Sequence, residues 1–145
     1  MVEAMKNYFS QIYSIELSDE LYDKAKRRFA GDAHIQIIYG DSGIELEKVI
    51  PILNQSALFW LDGHYSAGPT AKGVKDTPIY EELAHVFNSS QPGHVILIDD
   101  ARCFEADPTY PSIDELSVFI KENKPEANIN VENDIIRITS FRPFG

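Results

Sequence analysis

The sequence predicts an α/β domain, a three-layer sandwich with a mostly parallel sheet, helices on both of its faces and an antiparallel β-hairpin at its C-terminal end. Three observations predict this class. Strand and helix signals alternate along most of the chain, which is typical of parallel sheets. Residues 94–99 (HVILID) form a short apolar run of the kind that is buried on both faces of a sheet. The last two strand signals adjoin each other with no helix between them, so one of these strands should run antiparallel.

The first half of the chain predicts two strands, each followed by a helix. Residues 11–16 (QIYSIE) favour a strand, and Ser18 or Asp19 can cap the helix that follows it. Residues 34–39 (HIQIIY) favour the next strand. A serine and a glutamate with capping-box spacing then predict a helix over 42–53, although a proline near its end disturbs the last turn.

The second half predicts a strand at 57–61, a loop rich in small residues, and a helix that begins with a threonine and a proline and continues through 79–87. After the apolar strand described above, a second capping box predicts a helix over 112–120. Residues 128–133 and 134–141 then supply the two strands of the hairpin.

Length and composition indicate one domain over residues 1–145 with a cytoplasmic location. The formal charge of −10 argues against a nucleic-acid partner and against binding to an anionic membrane. No stretch approaches the roughly 20 apolar residues that a membrane span requires. Cys103 is the single cysteine, which excludes an internal disulfide and fits a reducing compartment.

Acidic residues follow several of the predicted strands at the point where each strand ends. They are Glu16, Asp41, Asp62, Asp99 and Asp100. Ligands of parallel α/β sheets bind outside the carboxyl ends of the strands. One such acid is commonly a helix cap, but five at the same edge predict a binding site there.

Two segments resemble the class I S-adenosylmethionine-dependent methyltransferases, whose sheet also ends in a β-hairpin. Residues 13–29 (YSIELSDELYDKAKRRF) resemble the segment in which an acid, here Glu16, holds the ribose hydroxyls of the cofactor. Residues 37–46 (IIYGDSGIEL) resemble the segment that contacts the adenine, here through Asp41 and Ser42. The resemblance implies S-adenosylmethionine as the cofactor, bound by these residues together with Asp62.

Two further segments, ALFWLDGH and VILIDDA, resemble the metal-dependent O-methyltransferases in particular. That resemblance implies a divalent ion held by Asp62, Asp99 and Asp100. Hard oxygen ligands suit Mg²⁺, Mn²⁺ or Ca²⁺. Arg102 is an alternative counter-ion for the acid pair, and its approach would make a metal less necessary.

His64 is the candidate catalytic residue. It follows Asp62 after one residue, where it can act as a general base, a further metal ligand or a substrate contact. The alternative is a loop histidine that bonds only to backbone.

The resemblance lacks its usual beginning, which is a strand followed by a glycine-rich loop. No glycine precedes Gly31. In the family the missing strand lies between the strands that end here on Glu16 and Asp62, so its loss would leave two unpaired inner edges. We expect these edges to pair directly or to be covered in a homodimer, unless the chain is a truncated domain.

Two functions follow from the sequence. The first is transfer of a methyl group from S-adenosylmethionine to an oxygen of a small molecule, assisted by a divalent metal. The alternative is a non-catalytic methyltransferase-like binding module, which the missing loop favours. A receiver domain fits poorly, because too few residues follow Asp100, and a dinucleotide-binding protein lacks its G-x-G-x-x-G motif.

Overall fold

The computed structural model describes residues 1–62 and 77–139. Its strands are β1 Ile12–Glu16, β2 Ile35–Tyr39, β3 Leu58–Leu61, β4 Val95–Ile98, β5 Asn128–Glu132 and β6 Ile135–Thr139. Its α-helices are α1 Val2–Met5, α2 Asp19–Arg28, α3 Ser42–Val49, α4 Ile79–Phe87, α5 Cys103–Ala106 and α6 Ile113–Asn123. A 3₁₀ turn, Ile50–Ile52, follows α3 because Pro51 cannot continue the helical hydrogen bonds. Within the described ranges, no helix is long and apolar enough to span a bilayer.

The strands form two sheets, of which the smaller is parallel and the larger is of mixed direction, so the α/β class is confirmed. Strands β1 and β2 pair in parallel as a two-stranded sheet. The second sheet has the order β3-β4-β6-β5, in which β3 and β4 are parallel and the other two pairings are antiparallel. Asn133 and Asp134, at the turn between β5 and β6, both have positive φ angles, as a tight hairpin requires.

The expected direct pairing of the Glu16 strand with the Asp62 strand was wrong. Among the described residues, β1 pairs with β2 alone and β3 pairs with β4 alone. Helix α3 contacts both β1 and α4, so it joins the two sheets from one side while a cavity separates their edges. The packing of helices holds the sheets together here, in place of a continuous ladder of hydrogen bonds.

Side-chain caps fix the starts of α2 and α6 where the sequence predicted them, whereas Asp41, not the predicted Ser42, caps α3. Ser18 Oγ accepts a hydrogen bond from the Leu21 N–H ahead of α2. Ser112 and Glu115 form the reciprocal capping box of α6. These bonds satisfy backbone donors that have no partner within the helix.

The hydrophobic core lies in the larger sheet and its helices. Its fully buried members include Leu83, Ile96, Ile98, Leu116, Ile120, Ile136 and Ile138. Every residue of β1, by contrast, is half-buried. The two-stranded sheet therefore contributes less to the core, and its inner edge faces a cavity.

Replacement of Ile96 by alanine should lower the free energy of unfolding by about 2–5 kcal/mol, because Ile96 is fully buried and the substitution leaves a void. Ile44→Ala is the matched control, since Ile44 is 60% exposed on α3 and should change stability little. Urea denaturation of the three proteins measures both effects. Equal stability of the two variants would contradict the placement of the core.

Candidate functional site

A cavity of about 740 Å³ lies between the facing edges of β1 and β3. At the end of the cavity nearest the starts of these strands, the Gln55 side-chain amide donates a hydrogen bond to Ser10 Oγ at 3.2 Å. Because these residues precede β3 and β1, the amino ends of the two strands are adjacent. The carboxyl ends, at Glu16 and Asp62, line the same cavity. The two strands therefore run in the same direction along its walls.

The walls of the cavity are apolar along the strands and acidic at the carboxyl end. Phe59, Trp60 and Ile15 are among the apolar lining residues. The acidic lining residues are Glu16, Asp41, Asp62 and Glu82. No Lys, Arg or His side chain belongs to the lining in the part of the chain that the structure describes. The site therefore offers hydrogen-bond acceptors and negative charge to its ligand.

Glu16 is the last residue of β1 and is half-buried. Its Oε1 accepts a hydrogen bond from the Ser18 N–H at 2.8 Å, which fixes the carboxylate as the chain enters α2. A carboxylate has about four acceptor positions, so this bond leaves acceptor capacity for a ligand.

Gly40 shapes the turn that carries Asp41 and Ser42 into the cavity wall. Its φ of +147° is a conformation that side chains other than glycine rarely adopt, and an added Cβ would lie 2.6 Å from Glu45 Cγ. Asp41 then caps α3, since its Oδ1 accepts from the Gly43 N–H at 2.8 Å. Ser42 donates from its Oγ to Glu82 Oε1 on α4.

Glu82 is the residue of this cavity that the sequence interpretation missed. It is only 3% exposed. Its Oε1 accepts from Ser42, but no described residue bonds to its Oε2. Burial, together with the negative charges of Asp41, Glu81 and Asp62, raises the pKa of the Glu82 carboxyl to about 7, although the hydrogen bond from Ser42 acts to lower it.

Helical periodicity could have identified Glu82. In α4, Ile79, Leu83 and Val86 are buried, and residue 82 falls on the same face at the i+3 position from Ile79. A glutamate on the buried face of an amphipathic helix departs from that pattern. Such a departure is a signal of function, because a buried carboxyl is costly unless it has a partner.

Asp62 follows β3, is exposed, and lines the upper end of the cavity. The cavity therefore brings together Glu16, Asp41, Ser42 and Asp62. It does not include Asp99 or Asp100.

The expected metal site is not supported. Asp99 Oδ1 accepts the Asp100 N–H at 2.9 Å, and Asp100 Oδ1 lies 2.6 Å from Arg102 Nη2. Arg102 also pairs with Asp134 at the hairpin turn. Across residues 1–62 and 77–139, no three His, Cys, Asp or Glu side chains are placed to hold an ion. Arg102, which the sequence offered as an alternative counter-ion, therefore pairs with Asp100, an acid that was expected to bind the metal.

His64 lies outside the described residues, as does most of the loop that follows β3. Its catalytic role stays a prediction.

Two solved structures with a similar fold are, by their descriptions, a methyltransferase and a methylase. One is described as a caffeoyl-CoA O-methyltransferase from Staphylococcus aureus, with a TM-score of 0.54 and 15% identity over 90% of this chain and 65% of that one. A second is described as an rRNA methylase from Clostridium thermocellum, with a TM-score of 0.57 and 8% identity over 89% of this chain and 73% of that one.

A third similar structure is the Methanococcus jannaschii fibrillarin pre-rRNA processing protein, with a TM-score of 0.57 and 13% identity over 92% of this chain and 57% of that one. No protein-family model and no curated protein matches the sequence. The chain spans less than two thirds of the first and third of these structures. Identities this low show only that the chain shares its fold with these proteins.

The prediction that nucleic acid is excluded as a partner was wrong. It rested on the net charge of −10. Two of the similar structures are, by their descriptions, an rRNA methylase and a pre-rRNA processing protein. The fold therefore occurs in proteins of RNA metabolism, and the total charge of a chain does not describe the surface on which such a partner would bind.

The buried Glu82 carboxyl should make stability depend on pH. The pKa of Glu82 is about 7 in the folded chain against 4.5 for the free side chain, so the folded state binds the extra proton between these values. Stability should fall as the pH rises from about 4.5 to 7, by about 3 kcal/mol from this group. Glu82→Gln should remove this contribution to the change of the free energy of unfolding with pH.

The measurement is urea denaturation at pH 5, 6, 7 and 8 for the wild type and the variant. Glu20→Gln is the control, since Glu20 is exposed on α2, loses the same charge and is not among the charges that raise the pKa of Glu82. Parallel pH profiles for all three proteins would show that the Glu82 carboxyl does not titrate in this range.

Proposed function

We propose that this chain binds S-adenosylmethionine in the cavity between β1 and β3 and transfers its methyl group to an oxygen of a small-molecule acceptor. One observation carries the proposal. Glu16, Asp41, Ser42 and Asp62, the residues that the sequence assigned to the cofactor, all line this one cavity at the carboxyl ends of the strands. The methyltransferase-like fold supports the same assignment.

Glu16 is suited to hold a ribose. A diol presents two O–H donors side by side, and an ionised carboxylate accepts both through charge-assisted bonds. The Ser18 N–H already orients the Glu16 carboxylate at the end of β1. Because the orientation exists before the ligand arrives, less side-chain entropy is lost on binding.

The acidic end of the cavity matches the charge of the cofactor. S-adenosylmethionine supplies an electrophilic methyl group on a positively charged sulfonium. Asp41, Asp62 and Glu82 place their carboxyl oxygens at this end of the cavity. No cationic side chain belongs to the described lining, so none would repel the sulfonium. The apolar walls formed by Phe59 and Trp60 would exclude water from the flat parts of the ligand.

The proposed transfer forms a bond between the acceptor oxygen and the methyl carbon and breaks the bond between that carbon and sulfur. The sulfur keeps the bonding electron pair, and the acceptor loses its hydroxyl proton. We assign that proton to His64 as the general base. No metal ion enters the proposal, because Asp99 accepts the Asp100 backbone N–H, Asp100 pairs with Arg102, and neither acid lines the cavity.

Glu16→Gln should weaken S-adenosylmethionine binding roughly 10- to 100-fold, because it removes the charge from the hydrogen bonds to the ribose. Isothermal titration calorimetry at pH 7.5 measures the effect. Glu20→Gln is the control, since Glu20 is exposed on α2 and loses the same charge. Equal affinity in the two variants would remove Glu16 from the site.

His64→Gln should lower the rate of methyl transfer by a factor of about 10² or more while leaving the affinity for S-adenosylmethionine unchanged, since a general base acts on the acceptor. The assay follows a labelled methyl group from the cofactor to a panel of phenols, catechols and RNA. Undiminished transfer by the variant would exclude His64 as the base, and transfer to RNA alone would replace the small-molecule acceptor.

A second candidate function is a binding module that has the fold without the cofactor. One observation favours it, namely the separation of β1 from β3 among the described residues. The same calorimetry distinguishes the two functions. Failure of the wild-type chain to bind millimolar S-adenosylmethionine would exclude the methyltransferase function for this chain and leave the binding module or a truncated domain.

A further inference from the structure

The Glu82 carboxyl has an arrangement that the proposed cofactor contacts do not explain. It lines the cavity, is 3% exposed, and receives one hydrogen bond, from Ser42 to Oε1. Its Oε2 is buried without a hydrogen-bond partner among the described residues. A buried polar atom without a partner opposes folding, and a hydrogen-bond donor on a bound ligand would satisfy it.

We infer that Glu82 is a ligand-binding residue of the cavity, whose Oε2 accepts a hydrogen bond from an N–H or O–H group of the bound molecule. The inference rests on the proposed function in one respect, which is that S-adenosylmethionine serves as the probe. It assigns a ligand contact to Glu82, which was not among the site residues that the sequence predicted. It also restricts the ligand to compounds that present a donor, neutral or positively charged, to the acidic end of the cavity.

The charges around Glu82 indicate whether the ligand should present a hydrogen-bond donor or a hydrogen-bond acceptor to it. The ionisable groups that face it are Asp41 from the turn after β2, Asp62 after β3, and Glu81 on its own helix. Glu16 lines the cavity from β1. All of them are acids, so an anionic or acceptor-rich ligand would meet repulsion from every side. A donor would satisfy Oε2 and offset the negative charge at once.

Binding of such a donor should be coupled to loss of a proton. The pKa of the Glu82 carboxyl is about 7 without ligand, because of burial and the neighbouring acids. A donor on the ligand stabilises the ionised form, so the bound protein should hold this proton less tightly. The contribution of Glu82 to affinity should therefore increase as the pH rises through 7.

The test compares S-adenosylmethionine binding by the wild type and by Glu82→Gln at pH 6, 7 and 8, using isothermal titration calorimetry. Because the ligand itself titrates, the quantity of interest is the ratio of the two dissociation constants at each pH. The variant should bind more weakly, with a ratio that grows about tenfold from pH 6 to pH 8. Glu20→Gln is the matched control, since Glu20 is exposed on α2 and is not among the charges that act on Glu82, and its ratio to the wild type should stay near one and constant.

A second measurement uses the wild type alone, so it tests the inference even if the Glu82→Gln variant does not fold. Titration at pH 6.5 in phosphate and in Bis-Tris reports protons released on binding, and the ligand's α-amino group stays charged at that pH. About three quarters of a proton should leave per molecule bound, because a carboxyl with a pKa of about 7 is protonated to that extent at pH 6.5. No release, or uptake, would overturn the inference.

The results separate this inference from the proposed function. Normal S-adenosylmethionine binding with a constant Glu82→Gln ratio would overturn the role of Glu82 and leave the proposed function intact. Absence of binding by the wild type would overturn the proposed function and the role of Glu82 together. A ratio that rises with pH supports both.

Discussion

The contact between α3 and α4 holds the two sheets in one arrangement, and the cavity depends on it. The N-terminal turn of α3 meets α4 through three interactions. Ser42 donates to Glu82, His85 Nε2 lies 2.7 Å from the Gly43 carbonyl oxygen, and Gly43 packs closely against Pro78. A hydrogen bond from Gln55 to Ser10 lies at the opposite end of the cavity. Together these contacts set the spacing between β1 and β3, which belong to different sheets. The site residues Asp41 and Ser42 belong to the same turn, so architecture and chemistry depend on one short segment.

The acid pair at the end of β4 shows why similar sequence patterns need not give similar sites. Asp99 and Asp100 follow an apolar strand just as Asp62 does, and the sequence grouped all three. Asp100, however, adopts a positive φ of 57°, and the chain turns toward the hairpin, where Arg102 pairs with Asp100 and with Asp134. Salt bridges and a local turn thus hold the pair outside the cavity.

Much of the fold could be predicted from the sequence, because the signals that determine it are local. Serine caps at Ser18 and Ser112 marked the helices, and two adjacent strand signals marked the hairpin. The break between β1 and β3 could not be predicted in the same way. Strand pairing is a non-local property, and nothing within QIYSIE or ALFWL specifies which edge will find a partner. The acids at the ends of β1 and β3 were identified, yet Glu82 was overlooked because it is on a helix, away from the strand ends that guided the search.

The burial of Glu82 indicates how this chain divides its residues between folding and binding. Leucine at position 82 would continue the apolar face of Ile79, Leu83 and Val86, and it would remove a group that opposes folding above pH 7. Among the described residues, the hydrogen bond from Ser42 is the one that Glu82 receives. The raised pKa already includes that bond and still implies a cost of about 3 kcal/mol once the carboxyl ionises. Because Glu82 lines the cavity, the inferred ligand contact would offset part of this cost.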